Sequence, residues 1–445
     1  MKQAFLLLIS LLLLAATPAL AQKRYKKKHI LKDLKTLDGF KSSFVGFVLY
    51  DPENNKTLAC QYDNKYMTPA SNTKLYTFYA GTKLLGKAVP AMQYQIKGDS
   101  LIFWGTGNPL FLHHDLNDPA ALEFLSARKE KLYYWPRPTE DARFGPGWSW
   151  DDFNGYYSAE KSAFPIYGNS LNAYLNRSEQ SLQVAPDYFQ SHFAPVEASD
   201  PPSRSRVYRE EAINQYRYFI GEATDRDEAQ IDTLVRPFLY SDALFTELLA
   251  DTLHKPVHLY QGSPKTAEAK TLYSIPTDTL YKHMLQPSDN LFAEQILMMA
   301  SGLTSDTLST RATIDYMQTK VFEDWQDEPV WVDGSGLSRY NMFTPRGMIK
   351  LLKVLREEVG EERLFELLPA GGMTGTISNW YGDKDGPYVF AKTGTLSNNH
   401  SLTGYLKADS GKTLLFCIMV NHYAHSTSKV RESMGEILKK IKKAY

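Results

Sequence analysis

Cysteine is nearly missing from this chain: there are two in 445 residues, Cys60 and Cys417. That count excludes a disulfide framework. Each thiol lies in an apolar, strand-like run, so two separately buried thiols are expected and not a bridge. A charge excess is also absent, since Lys plus Arg (50) equals Asp plus Glu (50). Nothing in the composition therefore points to nucleic acid or an anionic membrane surface as a partner. Beyond the first residues no apolar run approaches the roughly 18 needed to cross a bilayer. Internal repeats and low-complexity segments are lacking too.

What is present is an ordinary globular composition, 43% hydrophobic and 22% charged, on a chain long enough for about two to three domains. Aromatic content is high, with 28 Tyr, which suits broad grooves as well as cores. Lys2 and the apolar run Phe5 to Ala16, followed by Ala19-Leu20-Ala21, form a secretory signal over residues 1–21. Cleavage after Ala21 and an exported, periplasmic protein are expected. No Cys follows the apolar run, which argues against a lipoprotein anchor. Lys23-Arg24 and Lys26-Lys27-Lys28 read as a flexible, solvated start of the mature chain.

Strands are expected at Ser43 to Tyr50 and Thr57 to Gln61, joined by the turn cluster Asp51 to Asn55. A helix follows from Ser71 to Leu85. From about Lys87 to Tyr260 short strands alternate with Pro-, Gly- and Asp-rich breaks, the mark of an inserted, mainly-β lobe or two small ones. Within it, Ser199 to Ser203 is a loop, and Arg209 to Tyr218 fits helix or strand. Helical periodicity returns at Glu247 to His254, Thr277 to Leu285, Leu291 to Met299, Leu308 to Phe322 and Thr344 to Leu355. The end is strand-rich (Tyr388 to Lys392, Ser401 to Leu406, Thr413 to Val420). An amphipathic helix, Ser428 to Ile441, closes the chain with Val430, Met434, Ile437, Leu438 and Ile441 on one face. The fold class is α/β (α+β): one antiparallel sheet built from both chain ends and flanked by helices, residues 22–86 with 261–445, plus the insertion at 87–260.

Ser71-Asn72-Thr73-Lys74 opens the first long helix. Free N–H groups and the helix dipole there favour developing negative charge, and a lysine three residues on shares the serine's face. A desolvated amine can take the proton of a nucleophilic hydroxyl. Alone the pattern is weak, because Ser126-Lys129, Ser158-Lys161 and Ser426-Lys429 match it too. Ser288-Asp289-Asn290 opens the next helix, with Ser288 and Asn290 facing one cavity and Asp289 turned away. Ser170-Leu171-Asn172 and Ser397-Asn398-Asn399 share that weak pattern. Lys392-Thr393-Gly394 is unique in the chain. It ends an apolar strand, where Gly394 lets a substrate backbone lie close and Lys392 offers fixed positive charge to a carboxylate.

This ordered trio resembles that of the penicillin-recognising serine enzymes. Pro69 to Leu75, Ser288 to Glu294 and Asp333-Gly334-Ser335-Gly336-Leu337-Ser338-Arg339 look like the D-Ala-D-Ala carboxypeptidase/endopeptidase family. This is the class C low-molecular-mass penicillin-binding proteins, penicillin-binding protein 4 type, peptidase S13. Gly105-Thr106-Gly107-Asn108-Pro109 resembles that family's Gly-x-Gly-Asp-Pro, with Asn for Asp. Gly147 to Asp152 and Tyr156 to Ala159 resemble its inserted-domain signature. The resemblance implies a transpeptidase-like fold and a serine DD-peptidase, carboxypeptidase and/or endopeptidase, acting on peptidoglycan stem peptides without a cofactor or metal and acylated by β-lactams.

Carried over residue by residue, the resemblance makes Ser71 the nucleophile and Lys74 its base. Ser288 relays a proton to the leaving amine, and Asn290 holds Lys74 and the acyl amide. Lys392 and Thr393, beside Gly394, bind the terminal carboxylate. The N–H groups of Ser71 and Thr395 make the oxyanion hole. Asp152, Tyr157, Arg339, Leu396 and Ser397 are implied to grip the stem-peptide diamino acid. An alternative for Asp152 is that Trp148 to Asp152 only caps a lobe.

Other motifs read differently. His113-His114-Asp115 fits a surface loop, because no second ligand group has suitable spacing. Asp333 and Ser335 fit a structural turn beside the site. Asn398-Asn399-His400 departs from the small residues expected after the Lys-Thr-Gly strand. Two alternatives stand beside the DD-peptidase: a serine β-lactamase, and a non-catalytic peptidoglycan-binding protein of the same fold. No Glu-x-x-Leu-Asn loop is found, and the second motif is Ser-x-Asn and not Tyr-x-Asn. Slow deacylation is therefore expected.

Overall fold

The computed structural model describes residues 25–116, 118–196, 203–223 and 230–445. The signal segment and most of the Ser199 to Ser203 loop lie outside them. In chain order the first elements are α1 (Lys27–Thr36), β1 (Phe44–Asp51), β2 (Lys56–Gln61) and α2 (Lys74–Leu84). Next come β3 (Ala88–Lys97), β4 (Ser100–Trp104), α3 (Ala120–Ser126), β5 (Lys131–Tyr134), β6 (Ser170–Asn176) and β7 (Ser181–Ala185). Then follow β8 (Phe193–Pro195), β9 (Arg206–Arg209), β10 (Tyr216–Phe219), β11 (Ile231–Pro237), α4 (Asp242–Leu253), β12 (Val257–Leu259) and β13 (Lys270–Pro276). Helices α5 (Thr277–Leu285), α6 (Asn290–Ser301), α7 (Thr310–Tyr316), α8 (Pro345–Val359) and α9 (Glu361–Leu367) lead to the short pair β14 (Gly382–Asp383) and β15 (Gly386–Pro387). The described chain ends with β16 (Val389–Leu396), β17 (Asn399–Lys407), β18 (Thr413–Asn421) and α10 (Thr427–Ala444).

The main sheet has the order β16-β17-β18-β1-β2 and is antiparallel throughout, so strands from both ends of the chain meet at its centre. Its alternation is clean. Val45, Phe47 and Leu49 of β1 share one face with Phe416, Ile418 and Val420 of β18, packed against the apolar sides of α1 and α10. Val48 and Tyr50 share the other face with Leu415, Cys417 and Met419, against α2, α6 and α8. Period-two burial on both faces is what a sheet sandwiched by helices requires. The mixed architecture is that expected from sequence.

Both thiols are free. Cys60 and Cys417 each stand opposite Val48, on the two strands that flank β1. Two strand spacings separate them, about 9.6 Å, beyond the reach of a disulfide. Cys60 is only half-buried, because β2 is an edge strand, whereas Cys417 is buried.

Between α2 and α5 lies a second core made of three sheets, ordered β12-β5-β4-β3-β13, β11-β6-β7 and β8-β10-β9. The segment Arg209 to Tyr218 resolves into parts of two strands, β9 and β10, and the turn between them. Strand β13 pairs with β3, so this sheet continues to Pro276, beyond the expected edge at residue 260. Lys27 and Lys28 are not a flexible start. They open α1, whose Ile30 and Leu34, one turn apart, are buried in the terminal-helix core. Among the described residues no helix is long and apolar enough to cross a membrane.

Candidate active site

Ser71 lies in a 3-10 turn, Ala70–Thr73, that runs directly into α2. The turn begins at Ala70, which has φ 49°, a left-handed conformation that alanine rarely adopts. It is held from two sides. Asn72 Nδ2 donates to the Lys392 carbonyl at 2.9 Å, and Ser401 Oγ donates to the Pro69 carbonyl at 2.6 Å. Gly394 permits this closeness, since a Cβ there would sit 2.3 Å from the Pro69 oxygen. The start of the serine helix is thus laced to β16 and β17. Helix α2 is buried on every side from Lys74 to Gly81, so its apolar spacing marks an interior helix and not an amphipathic one.

Lys74 is fully buried, and its Nζ donates three hydrogen bonds: to Ser71 Oγ (3.0 Å), Asn290 Oδ1 (2.6 Å) and the Ser335 carbonyl (2.8 Å). Burial drives the amine down to about 8, against the opposing pull of Asp289, Asp333 and Glu294. Lys392 is buried as well, and its Nζ donates to Ser288 Oγ at 2.7 Å and to the Thr393 carbonyl at 3.0 Å. Burial, reinforced by the charge of Lys74, pushes Lys392 well below the ordinary lysine range. Keeping a positive charge there is therefore costly until an anion arrives to pair with it. Two buried amines near one another resist carrying two protons.

The Ser288-Asp289-Asn290 turn is set by the N-cap of α6, where Asp289 Oδ1 accepts the Phe292 N–H at 2.9 Å. Ser288 is left-handed (φ 70°), and its hydroxyl reaches Lys392. Asn290 joins Lys74 to the inserted region, donating from Nδ2 to the Tyr157 carbonyl at 2.8 Å. The three motifs thus meet through two lysines, the distance between motifs being one hydrogen bond in each case.

A further layer was not legible as chemistry. Glu294 accepts the N–H groups of Gly334 (3.1 Å) and Ser335 (2.7 Å), which fixes the carbonyl that Lys74 uses. Its carboxyl is raised by burial and by Asp333. Asp333 in turn accepts from Gly336 N, Ser338 N, Asn341 Nδ2 and, across from the inserted region, Trp148 Nε1 at 2.9 Å. Gly336 (φ 81°) passes so near the serine turn that a Cβ would lie 2.0 Å from the Ala70 oxygen. The signal for this support is the Asp333 to Ser338 run itself, with Glu294 four residues beyond Asn290.

A cleft of about 1040 Å³ runs over these groups. Ser71, Ser288, Asn290, Thr393 and Thr395 line it, as do Asp152, Tyr157, Arg339, Leu396 and Ser397. Gly394, Lys74 and Lys392 lie beneath its floor. Thr393 Oγ1 bonds Thr376 Oγ1 at 2.6 Å, and Thr395 Oγ1 bonds His400 Nδ1 at 2.8 Å. On the wall formed by the inserted region, Tyr157 donates its hydroxyl to Asp152 at 2.7 Å. Burial and that carboxylate raise the Tyr157 phenol. Arg339 is exposed.

His113 differs from the surface-loop expectation. It is buried, and packs edge-on against His283 and Phe292. The companions that sequence spacing did not supply come from elsewhere in the fold: His283 from α5 and Asp289 from the α6 cap, with Nε2 to Oδ2 at 3.6 Å. These three donors could hold a cation, as could His113 with His114 and Asp115. His113 Nδ1 already accepts the Asp115 N–H at 3.2 Å, so in the neutral ring Nε2 bears the proton. Coordination would cost that bond. Burial lowers His113 to about 4. Asp289, although buried, is held below the usual carboxylate range by its hydrogen bond with His283.

A protein-family model described as the D-Ala-D-Ala carboxypeptidase 3 (S13) family matches residues 27–441. D-alanyl-D-alanine carboxypeptidase DacB of Haemophilus influenzae is 24% identical, across 90% of this chain and 88% of its own. Penicillin-sensitive carboxypeptidase A of Dictyostelium discoideum is 22% identical, across 88% and 85%. In three dimensions the chain is similar to penicillin binding protein 4 (dacB) from Haemophilus influenzae, with TM-score 0.75 at 20% identity over 93% of this chain and 99% of that one. The same protein complexed with a novel β-lactam matches with TM-score 0.68 at 19% identity over 92% and 97%.

Proposed function

The chain belongs to the D-Ala-D-Ala carboxypeptidase 3 (S13) family and is a serine DD-peptidase; from that premise we propose that it hydrolyses peptidoglycan stem peptides through an acyl-enzyme on Ser71. The observation that carries this reading is the Lys74 amine, donating to Ser71 Oγ and Asn290 Oδ1 from a buried position where its proton is loosely held. Ser71 Oγ attacks the carbonyl of the penultimate D-Ala, and neutral Lys74 takes the hydroxyl proton. The oxyanion forms against the N–H groups of Ser71 and Thr395. Losing one such donor typically costs about two to three orders of magnitude in rate.

Collapse of the tetrahedral intermediate breaks the amide, and Ser288 relays a proton to the leaving amine. Its bond to Lys392 gives that relay a source. A substrate carboxylate arriving near Lys392 favours the protonated amine, so binding itself charges the site. Lys392, left neutral by that relay, takes up the proton that Lys74 received from Ser71, and water then attacks the acyl-enzyme with the neutral Lys74 again accepting a proton. Thr393 and Gly394 present the edge of β16 to the substrate, and Asn290 holds the acyl amide. Asp152 and Tyr157, with Arg339, Leu396 and Ser397, receive the amino end of the diamino acid.

The protein is exported to the periplasm, with residues 1–21 removed. Its catalytic body comprises residues 22–86 and 277–445. The inserted region is best ended where β13 ends, at Pro276. β-Lactams acylate it; that the similar protein from Haemophilus influenzae is found complexed with a β-lactam supports recognition of that class. The test is digestion of isolated muropeptides with products weighed. Loss of one D-Ala from a pentapeptide stem, abolished in Ser71→Ala, is expected. Intact stems and intact cross-links after prolonged digestion would overturn the reading. N-terminal sequencing of the native protein checks removal of residues 1–21.

A further inference from the structure

We propose that His400 is a positioning residue: it sets the Thr395 hydroxyl as a hydrogen-bond donor into the cleft, and so makes the enzyme select leaving residues that carry a free α-carboxylate. The inference rests on the DD-peptidase reading and concerns its leaving-group side. His400 belongs to the run Asn398-Asn399-His400, whose composition departs from the small residues expected after Lys-Thr-Gly. It stands directly opposite Thr395 across β16 and β17. Its side chain is 1% exposed, its Nδ1 lies 2.8 Å from Thr395 Oγ1, and its Nε2 is buried with no partner among the described residues.

The tautomer follows from those facts. Burial, with Arg431 and Lys392 as the cations acting on the ring, keeps the imidazole neutral, so it has one N–H to place. On Nε2 that N–H would be buried without an acceptor, the rarest kind of unmet polar group. Thr395 would then spend its own proton on Nδ1. On Nδ1, the N–H donates to Thr395 Oγ1, and the unpaired Nε2 presents only a lone pair. The second arrangement is therefore favoured.

With its oxygen already accepting from His400, the Thr395 hydroxyl keeps its proton for something else. Thr395 is exposed and lines the cleft beside Ser71 and Thr393. Arg431, whose Nε also lacks a partner among the described residues, lines the next stretch of the same cleft with His425. A hydroxyl donor in a cleft that also holds a guanidinium suits an anionic oxygen. In the substrate that oxygen belongs to the carboxylate on the carbon that bears the leaving nitrogen, a group common to a terminal D-Ala and to the D-centre of a cross-linking diamino acid.

The experiment compares an acyl-D-Ala-D-Ala peptide with its C-terminal amide, on enzyme whose active concentration is set by end-point penicillin titration. The wild type is expected to prefer the acid. In His400→Ala the acid-over-amide preference in kcat/KM falls about tenfold to a hundredfold, chiefly through KM. His400→Asn, whose Nδ2 occupies the place of Nδ1, recovers most of it. In a Thr395→Val background the His400→Ala change adds nothing to the loss of preference. Should His400→Ala fail to fold, His400→Asn and Thr395→Val carry the test. Equal losses on acid and amide, or a His400→Asn no better than His400→Ala, would overturn the proposal. A wild type that cleaves neither peptide sinks the DD-peptidase reading instead.

Discussion

The ionisation of Lys74 makes the sharpest demand on experiment. Its ammonium form has three N–H groups and three acceptors, Ser71 Oγ, Asn290 Oδ1 and the Ser335 carbonyl, so the resting site is fully satisfied with the proton on. Acting as a base requires the proton off. Burial lowers the amine from 10.5 to about 8, so at pH 7 about one enzyme in ten is ready, and at pH 6 about one in a hundred. The second-order rate of acylation by a fluorescent penicillin should therefore climb about tenfold per unit up to about pH 8 and level off above it. An unshifted lysine would place that plateau more than two units higher. Lys74→Arg keeps the positive charge but cannot give up its proton, so it should lose at least about a thousandfold at every pH. A wild-type rate flat between pH 6 and 9, or a Lys74→Arg rate within tenfold of wild type, would refute the reasoning.

Other perturbations have equally definite outcomes. Gly336→Ala places a Cβ 2.0 Å from the Ala70 oxygen at φ 81°, so the serine turn must move; penicillin acylation should slow at least about tenfold, with a stability loss of about 1–3 kcal/mol in urea unfolding. Asp333→Ala strands the buried N–H groups of Gly336 and Ser338 and takes one partner each from Asn341 Nδ2 and Trp148 Nε1. It should cost at least about 3 kcal/mol, read from the same unfolding curves. Asp152→Asn should lower kcat/KM on stems whose third residue bears a free amine by about tenfold. Acylation by benzylpenicillin, which has no such amine, should change by less than about threefold.

How much of this could be read beforehand depends on what kind of signal each part leaves. The main sheet was legible because β1 and β18 alternate strictly, and α10 because its buried residues repeat at three and four. Helix α1 was hidden. Its lysines dominate the composition, and only Ile30 and Leu34 mark the buried side. The motif residues were legible as types in order, but their electrostatics were not. Whether Lys392 holds its charge depends on burial and on Lys74, which is 318 residues away in the chain but close in space. The Ser335 carbonyl left no mark, since any residue supplies one. His113 has no companions at ligand spacing in the sequence because His283 and Asp289 come from other elements, where spacing in sequence says nothing about distance.

The most direct measurement is peptide mapping by mass spectrometry after a brief exposure to benzylpenicillin. One covalently bound penicilloyl group is predicted per chain, on the peptide containing Ser71, formed faster at pH 8 than at pH 6 and absent in Ser71→Ala. An adduct on any other residue, or the same adduct in Ser71→Ala, would contradict the account.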